Sequence, residues 1–267
     1  MSWSCEKTIA LITGANQGIG YAVAQHLVEK GTFTVLLGSR DAERGAKAAV
    51  DLDPSSEIVQ AITIDVTDDA SIQAAADHVA AKYGRLDVLV NNAGINNELE
   101  AYMLHLQTGA TTDLEPLSLA KLRKAYHEVY EVNLFGAAAV TEAFSPLLDT
   151  AISPARIVFV SSHTGSLTLR SDSASPWHER MSRASFPIYR SSKAALNMLT
   201  LHYAAKFDSR GWKVNASCPN LTATSFTKDS GLGRPPYESA VNIVRLACLG
   251  EDGETGTCSD EKEIIGW

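Results

Sequence analysis

The chain has 267 residues, 45% of them hydrophobic, enough to build one large core without a second domain. Acidic residues outnumber basic ones 31 to 23, a formal charge of −8, which argues against a nucleic-acid partner because phosphate binding needs clustered Lys and Arg. Four scattered cysteines (Cys5, Cys218, Cys248, Cys258), with no C-x-x-C pair and no paired histidines, argue against a metal site and a disulfide framework.

The first predicted strand, Thr8–Thr13, leaves no room for a removable signal peptide, and no apolar run approaches the ~18–20 residues needed to span a bilayer. A cytoplasmic protein without a membrane partner is the expectation. A helix is predicted over Gly18–Lys30, then strand Phe33–Gly38, helix Ala42–Leu52, strand Glu57–Ile64 and helix Asp69–Tyr83. Gly31 and Gly84 are suited to stop two of these helices, and Thr67-Asp68-Asp69 offers an N-cap with acid in the first turn. The pattern continues with strand Leu86–Asn91, helix Ser118–Leu148, strand Ala155–Ser161, helix Pro187–Arg210, strand Lys213–Cys218 and helix Tyr237–Leu249. A short seventh strand falls near Gly256–Ser259.

Several strands are almost wholly apolar, as strands buried on both faces are. Strand–helix alternation from end to end predicts a single doubly wound α/β domain over residues 1–267. Its sheet would have seven mostly parallel strands with helices on both faces. Two stretches break the repeat, 96–117 and 163–186. Both leave carboxyl ends of strands, where open α/β sheets bind ligands, so they read either as surface insertions or as substrate-pocket walls. Tyr102, Met103, His105, Trp177 and Phe226 are the wall candidates; they suit a mid-sized organic compound without selecting one.

The first strand runs into Thr13-Gly14-Ala15-Asn16-Gln17-Gly18-Ile19-Gly20, with a helix starting inside the glycines. A strand–glycine turn–helix unit lets backbone approach a pyrophosphate, whose charge the helix N-terminus favours. The alternative is an ordinary turn. The second strand ends Gly38-Ser39-Arg40-Asp41. Arg40 can clamp a 2′-phosphate with paired donors, which favours NADP(H) over NAD(H); the alternative has Asp41 turn in to serve NAD. Asp65 can accept from an adenine amino group while the Val66 amide contacts the ring, or it can simply cap the following loop. Asn91-Asn92-Ala93-Gly94 pairs two amide side chains with two small residues. That arrangement suits close approach of a cofactor and hydrogen bonds between neighbouring strands.

Tyr189 and Lys193 stand at i and i+4 on a predicted helix and so share a face. An ammonium beside a phenol favours the phenolate, so a lowered tyrosine pKa is expected. Ser161-Ser162 would end the fifth strand opposite that face.

Thr13–Gly20, Asn91–Gly94, Asn133, Ser162, Tyr189-x-x-x-Lys193 and Pro219–Thr224 occur in the order of the short-chain dehydrogenase/reductase family, and the resemblance spans nearly the whole chain. Ser39-Arg40-Asp41, the extra segment before Tyr189 and the ending Glu261–Trp267 are most similar to the carbonyl reductases. The resemblance implies a Rossmann fold and hydride transfer between NADP(H) and a small-molecule carbonyl substrate. Tyr189 resembles the general acid, Lys193 the residue that holds the nicotinamide ribose, Ser162 the hydroxyl that polarises the carbonyl, and Asn133 the asparagine of the proton relay. Pro219, Leu221, Thr222 and Thr224 match the segment that meets the nicotinamide carboxamide. Family members often pair through the helices carrying Asn133 and Tyr189, which makes a homo-oligomer an open expectation.

One departure stands out. The family usually shows Pro-Gly-x-Val-x-Thr after the sixth strand, and this chain has Asn220 for the glycine and Thr222 for the valine. Asn tolerates positive φ, so the turn should survive, with the new amide expected to reach toward the ring or the substrate. Other readings are alcohol oxidation, imine or C=C reduction, and a non-catalytic NADP(H) sensor on the same fold. A serine hydrolase is suggested only by Ser162-His163, and no G-x-S-x-G elbow accompanies it.

Overall fold

Successive side chains of the inner strands enter two different cores. In β1 (Thr8–Ile12), Ile9 and Leu11 face one side while Ala10 and Ile12 face the other. In β5 (Arg156–Val160), Ile157 and Phe159 alternate in the same way with Val158 and Val160. Two-sided burial demands a helical layer on each face, because neither apolar surface can meet water. The computed structural model describes residues 7–98, 118–175, 187–227 and 233–267.

The remaining strands are β2 (Phe33–Ser39), β3 (Val59–Thr63), β4 (Val88–Asn91), β6 (Lys213–Ser217) and β7 (Cys258–Ser259). All seven pair in parallel, in the order β3-β2-β1-β4-β5-β6-β7. Ala10 lies opposite Val35 on one side and Val88 on the other. Helices α1 (Gly18–Glu29), α2 (Ala42–Leu52) and α8 (Pro236–Ala247) cover one face through Val23, Leu27, Ala48 and Ile243. Helices α3 (Asp69–Tyr83), α5 (Ala137–Leu148) and α7 (Pro187–Lys206) cover the other through Ile72, Val79, Phe144 and Leu196. Among the described residues no helix is long and apolar enough to cross a membrane.

The fold is the expected seven-stranded doubly wound α/β sheet. The structure differs from expectation where side chains interrupt a regular pattern. The predicted helix Ser118–Leu148 is three pieces: α4 (Leu119–Tyr130), a π-helical turn (Glu131–Gly136) and α5. The π turn surrounds Asn133, and such local widening is frequent at functional sites. The helix predicted to reach Arg210 ends at Lys206, and a separate 3₁₀ turn (Asp208–Arg210) closes on Gly211 at φ 71°. A short helix, α6 (Leu167–Ser171), lies in the segment after β5.

β3 begins at Val59, not Glu57, because Asp53 claims the amides ahead of it. Its Oδ2 accepts from Ile58 N (2.7 Å) and Val59 N (3.1 Å), and its Oδ1 accepts from the Ser55 hydroxyl and amide. These bonds, the Ser55 hydroxyl first, hold the Asp53 carboxyl at about 2, below its usual value. A carboxyl with a lowered folded-state pKa adds stability above the unfolded value, and that contribution is lost as pH falls from about 4 toward 2. Asp53→Asn keeps one acceptor and gives up the other. Its Tm should fall below the parent's near neutrality, with the gap narrowing progressively below pH 4. A gap constant over that range in thermal melts would disprove the assignment.

Candidate active site

The parallel sheet reverses its winding between β1 and β4, and a cavity of about 920 Å³ opens at their carboxyl ends. The loop after β1 turns into α1 through Gly14 and Gly18, both at φ 62°, where a side chain would be strained. Gly20 meets a different demand. A Cβ there would lie 2.5 Å from Asn92 Nδ2 and 2.8 Å from the Gly14 carbonyl. Asn92 Nδ2 donates to the carbonyls of Thr13 (2.9 Å) and Gly14 (3.1 Å), and Thr13 Oγ1 accepts from the Asn92 and Ala93 amides, both at 3.0 Å. The two strand ends are thus stitched together, as the paired amides led one to expect.

Gly14, Asn16, Gln17, Gly18 and Ile19 line the cavity, while Gly20 sits behind them against Asn92. The N-cap residue of α1, Gln17, gives no side-chain hydrogen bond to the first turn. Ser39 and Arg40 line the next stretch of wall. Asp41 caps α2, accepting from Arg44 N (3.0 Å), and its other oxygen lies 3.5 Å from Arg44 Nε. Arg44 also lines the cavity, and the sequence reading missed it. An Arg three residues into an exposed helix is a weak signal without knowledge that the helix starts at the rim. Asp65 and Val66 line the wall too; Asp65 Oδ1 accepts from the Thr67 amide (2.9 Å) and hydroxyl (2.8 Å), so one of its oxygens shapes the loop into α3. Ala93 and Gly94 complete this side.

The opposite wall comes from β5, α7 and the turn after β6. Tyr189, Lys193 and Ser162 all line the cavity. Lys193 is buried, and its Nζ donates to the Val160 carbonyl at 2.8 Å and lies 5.7 Å from the centre of the Tyr189 ring. The side chains of Tyr189 and Ser162 are hydrogen-bonded, and Ser162 Oγ also lies 2.9 Å from Thr164 Oγ1. Ser161 backs the strand end through its hydroxyl on Asn197. Asn133 lies behind the wall, buried. It accepts from Ile95 N (2.8 Å) and donates to the Ile95 carbonyl and the Ser192 hydroxyl, each at 3.0 Å.

The ammonium does not lower the Tyr189 pKa as the i, i+4 spacing suggested. Burial dominates and pushes the phenol upward, with the Ser162 hydrogen bond acting in the opposite direction. Burial also brings the Lys193 ammonium down to about 8.

Pro219, Leu221, Thr222 and Thr224 line the cavity beyond β6. Asn220 adopts φ 61°, so the residue in place of glycine keeps the turn. Asn220 also lines the cavity, but its amide, expected to reach toward the ring or substrate, donates to Asp260 Oδ2 at 3.3 Å. The Thr222 hydroxyl is likewise directed into the protein, onto Ser239 Oγ at 2.8 Å. His163 and Cys218 were overlooked as a pair: His163 Nδ1 lies 2.8 Å from Cys218 Sγ, and Nε2 lies 3.5 Å from Asp260. Nothing in the spacing of 163, 218 and 260 announces that contact. Phe226 lines the cavity with its ring 5.9 Å from that of Tyr189, whereas Tyr102, Met103, His105 and Trp177 fall outside the described residues.

The sequence profile of the short chain dehydrogenases matches residues 8–234. The short-chain dehydrogenase/reductase ATR10 of Stachybotrys chlorohalonatus is 36% identical over 270 residues, covering 97% of this chain and 90% of that protein. The structure of salutaridine reductase from Papaver somniferum superposes with a TM-score of 0.75 at 29% identity, covering 94% of this chain and 99% of that one. An NADPH-bound carbonyl reductase from chicken fatty liver gives 0.76 at 28%, covering 98% and 100%. A profile match over most of the chain, on this sheet order and with this cavity, makes the protein a member of the short-chain dehydrogenase/reductase family.

Proposed function

We propose that the protein is an NADPH-dependent reductase that delivers hydride to the carbonyl group of a mid-sized organic ketone or aldehyde. The observation that carries this reading is the Tyr189 hydroxyl. It is hydrogen-bonded to Ser162 on the cavity wall, with the Lys193 ammonium one helical turn away. The reductase names of two structural relatives support the direction of reaction.

The residues present fit a nicotinamide dinucleotide. Gly14 and Gly18 bring backbone without a side chain to the cavity, and the first turn of α1, without a Gln17 side-chain cap, suits a pyrophosphate. Gly14, Asn16, Gln17, Gly18, Ile19 and Gly20 would form that cradle. Asp65, Val66, Asn92, Ala93 and Gly94 would follow the adenosine and ribose. Lys193 with Pro219, Leu221, Thr222 and Thr224 would hold the nicotinamide end. Ser39, Arg40 and Arg44 would take the 2′-phosphate. Asp41 is engaged as the α2 cap and against Arg44, which favours NADP over NAD.

Bound reduced nicotinamide would supply the hydride. The chain's own part is proton management. A phenol whose pKa is raised by burial keeps its proton at neutral pH, which is what an acid donating to a carbonyl oxygen requires. Ser162 would hold the same oxygen. Lys193 keeps a positive charge next to the phenolate that donation leaves behind. Asn133 fixes the backbone at Ile95 and the Ser192 hydroxyl on α7, which keeps the Tyr189 helix in register with the β4 end.

Tyr189→Phe should lower kcat by about 10²–10⁴-fold while NADPH binding is nearly unchanged; full activity in that variant, followed by NADPH oxidation with a panel of aldehydes and ketones, would exclude this acid. Arg40→Ala should weaken NADPH by roughly ten- to a hundredfold with little effect on NADH. Titration of both cofactors tests this, and equal losses would point to a structural Arg40. Asn220→Gly should change stability by less than about 1 kcal/mol and leave kinetics near parental, since the amide is engaged with Asp260. A large shift in KM or substrate preference would instead place the amide in the pocket.

A further inference from the structure

Helix α7 carries Tyr189 in its first turn, where helices fray and where backbone amides lack intrahelical partners. Pro187 opens the helix and has no amide to satisfy, so the next two residues present the first exposed donors. Both are met by one side chain ninety residues away. Glu98 Oε2 accepts from Tyr189 N at 2.8 Å, and Oε1 accepts from Ile188 N at 3.3 Å. The backbone that carries the carboxylate is itself held. The Glu98 amide donates to Asn96 Oδ1 (3.0 Å), and the neighbouring Asn97 side chain donates to the Ala125 carbonyl on α4 (3.4 Å). Glu98 is half-buried, and burial raises its pKa despite the two amides and the nearby Arg190 charge.

We propose that Glu98 is a positioning residue for Tyr189: its carboxylate caps the first turn of α7 from the segment that follows β4. The inference rests on Tyr189 being the proton donor. A cap supplied from outside the helix has a consequence that a local one lacks. It ties the start of one long segment beyond a strand end to the end of the other, since Glu98 lies just past Asn96 and Pro187 follows residue 186. Asn96 lines the cavity, so the tie also sets the separation between that wall and the helix. Lys193 sits a full turn further on, anchored by the Val160 carbonyl, and does not depend on this cap. Loss of Glu98 should therefore displace the tyrosine and spare the cofactor side.

The test compares Glu98→Ala, which removes both acceptors, with Glu98→Gln, which keeps one acceptor oxygen. Glu98→Ala should lower kcat about two- to thirtyfold, the population effect of an uncapped first turn, with NADPH affinity unchanged. Amide hydrogen exchange at Ile188–Arg190 should accelerate in the same variant and lie between the two in Glu98→Gln, as should kcat. Parental exchange and kcat in Glu98→Ala would overturn the proposal. So would a fall in kcat matched by an equal fall in NADPH affinity and no rescue by glutamine. If the parent enzyme turns over no carbonyl compound, the proposed function fails, and the exchange measurement still decides whether Glu98 caps the helix.

Discussion

Where β1 and β4 part at the edge of the cavity, their backbone groups run out of ladder partners, and unpaired buried amides and carbonyls are costly. Asn92 and Thr13 resolve this with side chains: the Asn92 amide takes the Thr13 and Gly14 carbonyls, and the Thr13 hydroxyl takes two amides in return. This exchange lets two adjacent parallel strands end together and still open a crevice. It also explains why residue 20 must be glycine, since the Asn92 amide occupies the space a Cβ would need. The cradle, the crevice and the helix that starts within it all depend on that one reciprocal contact.

A similar economy holds on the chemical side. Lys193 is a buried cation, and a buried cation needs a partner to remain charged. The Val160 carbonyl at the end of β5 is that partner, so the lysine is anchored to the same strand that presents Ser162. Asn133 connects the third side of the frame, from the Ile95 backbone to Ser192 on α7, and the π turn is the local distortion that accompanies this placement. Strand ends and helices are therefore joined by polar side chains where the regular ladders stop.

Strand and helix types were legible because each obeys a local rule: apolar runs for doubly buried strands, capped amphipathic stretches for helices. Gly84 stops α3 in the left-handed conformation and Asp68 caps its start, both as their residue types suggest. The glycine turn, Asn92 and the Tyr189–Lys193 pair were legible because their spacing is local. What escaped the sequence is non-local. The π turn is invisible in a continuous helical pattern, the direction of the Tyr189 shift depends on burial, and Glu98 meets its amides across ninety positions. The Asn220 amide was expected to face the pocket because only the nearby loop could be read; its partner, Asp260, lies forty residues on.

The cluster behind the turn after β6 settles what the Ser162-His163 pair can and cannot be. A serine nucleophile needs the imidazole within reach of its hydroxyl. The His163 ring instead faces Cys218 and Asp260, while Ser162 is bonded to Thr164 and Tyr189. A thiol against one imidazole nitrogen and a carboxylate against the other is itself the arrangement of a cysteine nucleophile. The environment works against that role. Burial pushes the Cys218 thiol up to about 12, and burial also lowers the His163 pKa, so the ion pair that activates such a thiol is disfavoured. Cys218 is 2% exposed, and its sulfur accepts the His163 backbone amide at 3.1 Å. These contacts join the end of β5 to the turn after β6 and to the C-terminal segment at Asp260. The imidazole therefore braces the wall on which Ser162 stands.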